Sequence, residues 1–153
     1  MQTLESIIAE LPFMKGLSSM QLQTLADNAM QSQFNAGELI FREGDPANRF
    51  YLIQSGQVAL ESPLKDRPAV RIQTIGGGEV LGWSWLFPPY YWHFAARALE
   101  PTAAIFFYGT RLREACEHDH NLGYELMKRM AGVMLQRLQA TRRQLLETRE
   151  PNS

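Results

Sequence analysis

A chain of 153 residues can fill one core and is too short for two ordinary domains, so a single domain over 1–153 is expected. Its 45% hydrophobic and 20% charged residues match a soluble globular protein, and no window approaches the roughly 18 consecutive apolar residues of a membrane span. A formal net charge of -1 argues against a protein built to neutralise phosphates along a nucleic-acid surface.

The N-terminus has no basic region followed by an apolar run, so no secretory signal is expected. Cys116 is the single cysteine, which excludes an intrachain disulfide and suits a reducing cytoplasm. N-terminal helices are expected over 1–30, a β-roll over 31–109 and C-terminal helices over 110–149.

Residues 3–10 read as a short helix stopped before Pro12. Ser18 with Gln21 three residues later makes a capping box, and Leu17 with Leu22 has the spacing of a hydrophobic staple. Leu22, Leu25, Ala26 and Ala29 then form one apolar face of a second helix.

From about Met30 to Tyr108 the pattern changes to short runs between glycine, proline and asparagine turns. Strands are expected over 32–34, 39–42, 49–54, 57–62, 69–75, 80–81, 94–99 and 103–108. Short, edge-like strands favour a closed or double-sheet arrangement. Residues 63–68 read as an exposed hairpin tip.

The helical period returns after Gly109. Thr110 is expected to cap a helix over 111–117, and Asp119 or Asn121 a longer one reaching about Thr148. At about 1.5 Å per residue that helix spans on the order of 40 Å, past any β core of this size. Met127, Met130, Met134, Leu138, Thr141 and Leu145 make a seam close to coiled-coil period, favouring a parallel homodimer. Arg137, Arg142, Arg143 and Arg149 are interleaved with Glu147 and Glu150, as on a solvated helix face. Residues 151–153 are expected to fray.

The segment Gly37-Glu38-Leu39-Ile40-Phe41-Arg42-Glu43-Gly44-Asp45, followed by Phe50-Tyr51-Leu52-Ile53 and Gly56-Gln57-Val58, resembles the cyclic nucleotide-binding domain. It is similar in particular to the sensor domains of the bacterial catabolite activator and related oxygen-sensing regulators. Gly37, Gly44 and Gly56 fall where tight turns call for positive φ. Met134-Leu135-Gln136-Arg137-Leu138-Gln139-Ala140-Thr141 resembles that family's dimerisation helix, where a threonine matching Thr141 touches the nucleotide base. The resemblance implies a mainly β fold, an eight-stranded antiparallel double-stranded jelly roll with N-terminal helices and a long C-terminal helix. It also implies a sensor that dimerises through that helix. The helix-turn-helix domain that follows in the family's transcription factors has no counterpart before Ser153, so direct DNA binding is not expected.

The phosphate-binding cassette departs from the family pattern. In nucleotide-binding members a glutamate takes the ribose hydroxyl and an arginine pairs with the cyclic phosphate. Here Gly82 matches the family glycine, Trp83 stands at the glutamate position, and Trp92 or His93 at the arginine position. Two lost charged partners, at about 1.5–3 kcal/mol each, make ordinary cyclic AMP or cyclic GMP binding less expected than another small-molecule effector.

Two arrangements remain open. In one, Trp83, Trp85 and Trp92 line a pocket with Ser84, His93, Arg97 and Thr141 as polar groups, serving a stand-alone small-molecule sensor. In the other, Trp83, Trp85, Trp92 and Phe94 plug the roll, leaving a ligand-free dimeric scaffold for a protein partner. Arg97 reads better as a structural ion pair than as an anion site. Catalysis is not expected. His118 and His120 flank Asp119 in a turn, with His93 remote, so no protein-built metal site is expected. Cys116 reads as an inert buried thiol.

Overall fold

The central segment of short runs and turns folds as eight strands in two antiparallel sheets, flanked by helices, in the computed structural model, which describes residues 3–149. The tail over 151–153, expected to fray, and Glu150 of the arginine-rich stretch lie outside the described residues. One sheet has the order β1-β8-β3-β6: β1 Ala29–Phe34, β8 Thr102–Tyr108, β3 Arg49–Ser55 and β6 Val80–Leu81. The other runs β2-β7-β4-β5: β2 Leu39–Phe41, β7 Ala95–Ala98, β4 Gln57–Leu64 and β5 Arg67–Gly76. This is the expected jelly roll.

The first sheet is covered on both faces, which is why its central strands are almost continuously apolar. Strand alternation sends Phe50, Leu52, Val80, Ile105 and Phe107 toward the helices. Tyr51, Ile53, Leu81, Ala104 and Phe106 point the other way, into the roll. Two cores result. The helix-side core joins that sheet face to α1 Leu4–Ala9, α2 Ser19–Asp27, α3 Gly109–His118 and α4 His120–Arg149. The roll core fills the space between the sheets, with Val58, Leu60 and Ala96 from the second sheet.

Local chemistry sets most boundaries. Thr3 caps α1 by accepting from the Ser6 amide. The capping box at α2 is complete: Gln21 N–H donates to Ser18 Oγ at 3.1 Å, and Ser18 N–H to Gln21 Oε1 at 2.9 Å. Asp119 Oδ1 caps α4, accepting from the amides of Asn121 and Leu122. Gly37, Gly44 and Gly56 all take positive φ, at 87°, 89° and 104°.

Four expectations shift. Ala29 leaves the α2 face and opens β1 opposite Phe107, because the helix ends at Asp27 and pairing with β8 begins two residues on. Thr110 lies inside α3 and accepts from Arg113 instead of capping, and Tyr108 holds the N-cap position without a side-chain capping bond. The six-residue hairpin tip shrinks to Lys65 and Asp66, since Leu64 already pairs with Arg67 and Asp66 takes φ 62°. Met130 is buried in the helix-side core, so the exposed face of α4 runs through Ala131 instead.

Among the described residues no helix is long and apolar enough to cross a membrane.

Candidate functional site

Between β6 and β7 the chain makes one long excursion over residues 82–94, and its tryptophans go to three different environments. Trp85 sits in the 3-10 turn Ser84–Leu86 and is fully buried in the helix-side core. Its ring stacks on Phe50 at 4.9 Å, and Phe50 stacks in turn on Phe107 at 4.5 Å. Trp92 turns the opposite way, into the roll core, where it is 4% exposed and lies flat on Phe41 at 3.8 Å with 8° between the planes. Trp83 does neither. It is half-buried at the lip, edge-on to Phe94 at 6.3 Å.

Gly82 makes this arrangement possible. Its φ is +98°, and a Cβ there would stand 2.5 Å from Cη2 and Cζ3 of Trp92. Only glycine both adopts the turn and admits the indole edge. The returning half of the excursion is pinned to the turn after β2. Gly44 N–H donates to Trp92 O at 2.8 Å, Trp92 N–H to Asp45 O at 3.0 Å and Ala47 N–H to Tyr90 O at 2.6 Å. From α3, Arg113 places its guanidinium 4.0 Å from the centre of the Tyr90 ring and donates to the Trp85 carbonyl. The excursion is thus held from both ends.

Trp92 occupies the roll interior, but α4 does not close onto Trp83. A cavity of about 450 Å³ lies between them, walled by Leu60, Ile72, Trp83, Phe94, Met134 and Leu138, with Gln73, Leu135, Arg137 and Thr141 completing it. Its polar groups are few and specific. Gln73 Nε2 donates to Thr141 Oγ1 and to the Arg137 carbonyl, both at 3.0 Å, clipping β5 to the helix. Arg137 donates through Nη2 to the Val80 carbonyl and holds its guanidinium carbon 5.6 Å from the centre of the Trp83 ring. Its Nη1 is buried and has no hydrogen-bond partner. Burial pushes the Arg137 pKa below its ordinary value, and the charge of Glu79 opposes that shift. A second cleft of about 710 Å³ lies beyond Arg137, between β5, α4 and the segment around Phe13, with Lys15, Glu79, Lys128 and Arg129 on its walls.

The eight residues singled out from the sequence therefore part company. Trp83 and Thr141 face the cavity. Gly82 and Trp92 pack on each other, and Ser84 and Trp85 are buried. His93 is exposed. Arg97 is spoken for: its Nε lies 3.3 Å from Glu61 Oε1 and its Nη1 donates to the Gly37 carbonyl at 2.8 Å. Gln73, Ile72 and Leu60 were not legible as site residues, because they come from the second sheet, far away in sequence. Arg137 had a usable signal, since it precedes Thr141 by four residues and shares its helix face. His118 ends α3 and His120 begins α4. Cys116 is half-buried in α3, where burial first, then Asp119 and Glu117, push its thiol up.

The family model of the cyclic nucleotide-binding domain matches residues 31–119, more than half of the chain. The chain belongs to the cyclic nucleotide-binding domain family. A crystal structure of a Geobacter metallireducens GS-15 protein, assigned to the cyclic nucleotide-binding proteins, superposes with a TM-score of 0.79 at 30% identity, covering 90% of this chain and 99% of that one. The sensor domain of the transcriptional regulator DNR from Pseudomonas aeruginosa has the same fold, with a TM-score of 0.72 at 18% identity over 90% of this chain and 95% of that one. Among curated proteins, the cAMP-dependent protein kinase regulatory subunit of Schizosaccharomyces pombe is 38% identical over 53 residues, 35% of this chain and 13% of that protein. The acetyltransferase Pat of Mycolicibacterium smegmatis is 32% identical over 75 residues, 49% of this chain and 22% of that protein. The chain thus matches a small part of these larger proteins.

Proposed function

We propose that this module senses a small molecule other than cyclic AMP or cyclic GMP, through the cavity between Trp83 and α4, and that it has no catalytic activity of its own. One observation carries this: about 450 Å³ of largely apolar space, within the roughly 300–1,000 Å³ usual for small ligands, walled jointly by the cassette and the long helix. Ordinary nucleotide binding is disfavoured on two counts. Trp83 supplies no carboxylate for a ribose hydroxyl, and Trp92 fills the roll next to Gly82 with hydrocarbon. The test is a titration of tryptophan fluorescence and melting temperature with a neutral aromatic probe, 2-naphthamide, and with both cyclic nucleotides. Quenching and stabilisation by the probe, lost in Ile72→Trp, are expected, with no response to nucleotide. Micromolar nucleotide binding, or no response to either 2-naphthamide or its acid 2-naphthoate, sinks the proposal.

The same reading includes a parallel homodimer through α4 and, on the evidence of one cysteine, a reducing cytoplasm. Met127, Ala131, Met134, Leu138, Thr141 and Leu145 follow one another at alternating steps of four and three along one helix face, and Leu138 is 66% exposed. Leu138→Glu should leave a monomer by light scattering where the wild type gives a dimer. The burial of Trp92 also favours the second reading, a ligand-free dimeric scaffold for another protein. The naphthamide titration separates the two, because a scaffold needs no occupant between Trp83 and Leu138.

A further inference from the structure

Resting on the cavity being a ligand site, we propose that its natural occupant is an apolar organic acid, an aromatic or aliphatic monocarboxylate, whose carboxylate meets Arg137. The charge distribution in the cavity points there. Of the ten residues that wall it, Arg137 alone is charged, and the others offer only the side-chain polar groups of Gln73, Thr141 and the Trp83 indole. Those of Gln73 and Thr141 are already bonded to each other.

Arg137 is not satisfied. Its Nη2 reaches a backbone carbonyl, but Nη1 is buried without a partner, and among the described residues no carboxylate lies within ion-pair distance of it. Glu79 attracts it only from a distance, from the second cleft, which Arg137 also lines. A guanidinium cannot escape this by losing its proton in the physiological range. A buried cation with an open donor is costly unless an anion joins it, and a carboxylate is the partner its planar donors fit; because Nη1 has no exposed surface, the carboxylate meets it once the guanidinium turns toward the cavity. The rest of the lining, Leu60, Ile72, Trp83, Phe94, Met134 and Leu138, takes hydrocarbon and would strip water from any second polar end. The ligand therefore has one charged end and an apolar body. A nucleotide, polar along its whole length, does not match.

The experiment compares 2-naphthoate with its neutral isostere 2-naphthamide by calorimetry at pH 7, on the full chain. Wild type should bind the acid about ten- to a hundredfold tighter than the amide, the range of one charge-assisted hydrogen bond. Arg137→Gln should bring the two affinities together, and Arg137→Lys, which keeps the charge, should restore part of the preference. Ile72→Trp should remove both probes. Equal affinities in wild type, or a preference that survives Arg137→Gln, overturn the carboxylate while leaving the cavity as a ligand site. Acid binding that survives Ile72→Trp puts the anion in the second cleft and overturns the site. If neither probe binds, the cavity itself is not a ligand site and the proposal falls with it.

Discussion

Removing the Trp92 side chain tests whether the roll interior is a packed core or a collapsed pocket. The indole is 4% exposed, lies face to face with Phe41 and rests its edge on Gly82. Its backbone bonds to Gly44 and Asp45 survive in Trp92→Ala, so the loss comes from the ring alone. Truncating a buried tryptophan costs about 3–5 kcal/mol, of which the stack contributes about 0.5–1.5 kcal/mol beyond its area. For a chain of this size, about 2–4 °C per kcal/mol turns that into a fall of roughly 6–20 °C in melting temperature. Near-ultraviolet circular dichroism should follow the melt, and indole added at millimolar concentration should refill the void and recover part of the loss. Trp83→Ala is the contrast: a half-exposed ring at the lip should cost far less. If Trp92→Ala melts within 2 °C of wild type on that same scale, the indole is not structural and the interior is a vacated pocket.

Gly82→Ala should destabilise by about 2–5 kcal/mol in denaturant titrations, from positive-φ strain and a Cβ driven into Trp92. Arg113→Ala removes the bond to the Trp85 carbonyl and the stack on Tyr90, so amide exchange at Trp92 and Ala47 should accelerate while that of β3 does not. Ser18→Ala breaks the capping box and should cost about 1 kcal/mol of stability. The Cys116 thiol is raised by burial and by Asp119 and Glu117, so it is less ionised than a free thiol at pH 8. Its reaction with a disulfide reagent should be slow there and still climb at pH values where a free thiol has levelled.

The fold was legible because its signals are local. Short runs between turn residues marked all eight strands, and the capping box and Asp119 marked the starts of two helices. Boundaries slipped where pairing outweighs propensity: Ala29 has the spacing of a helix face, but the ladder to Phe107 claims it. Met130 and Ala131 are adjacent, and only the position of the roll decides which of them is covered. The site was legible only in part for a related reason. Spacing could place aromatics at the cassette, but whether Trp85 points to the helices and Trp92 into the roll depends on a backbone reversal that sequence periodicity does not encode. The cavity's far wall, Leu60 with Ile72 and Gln73, comes from strands whose register brings them to α4 only in three dimensions.

Energetics favour α4 as the element a ligand would act on. Its first half is anchored: Leu122, Leu126 and Met130 are at most 1% exposed, and Arg129 donates to the carbonyls of Phe13 and Lys15. Beyond Met130 the side-chain hydrogen bonds tying it to the roll come from Gln73, which makes two, and from Arg137 to Val80. Residues 141–148 are exposed throughout. Two neutral bonds at about 0.5–1.5 kcal/mol each and one charged bond at about 1.5–3 kcal/mol hold that half with about 2.5–6 kcal/mol. A ligand of micromolar affinity brings about 8 kcal/mol, and only the part that differs between two helix positions can move the equilibrium. An anion on Arg137 would fall almost wholly within that part, since it competes with or reinforces the very bond that seats the helix. An apolar body against Leu60 and Ile72 would not, because those strands hold their places whether or not the cavity is filled.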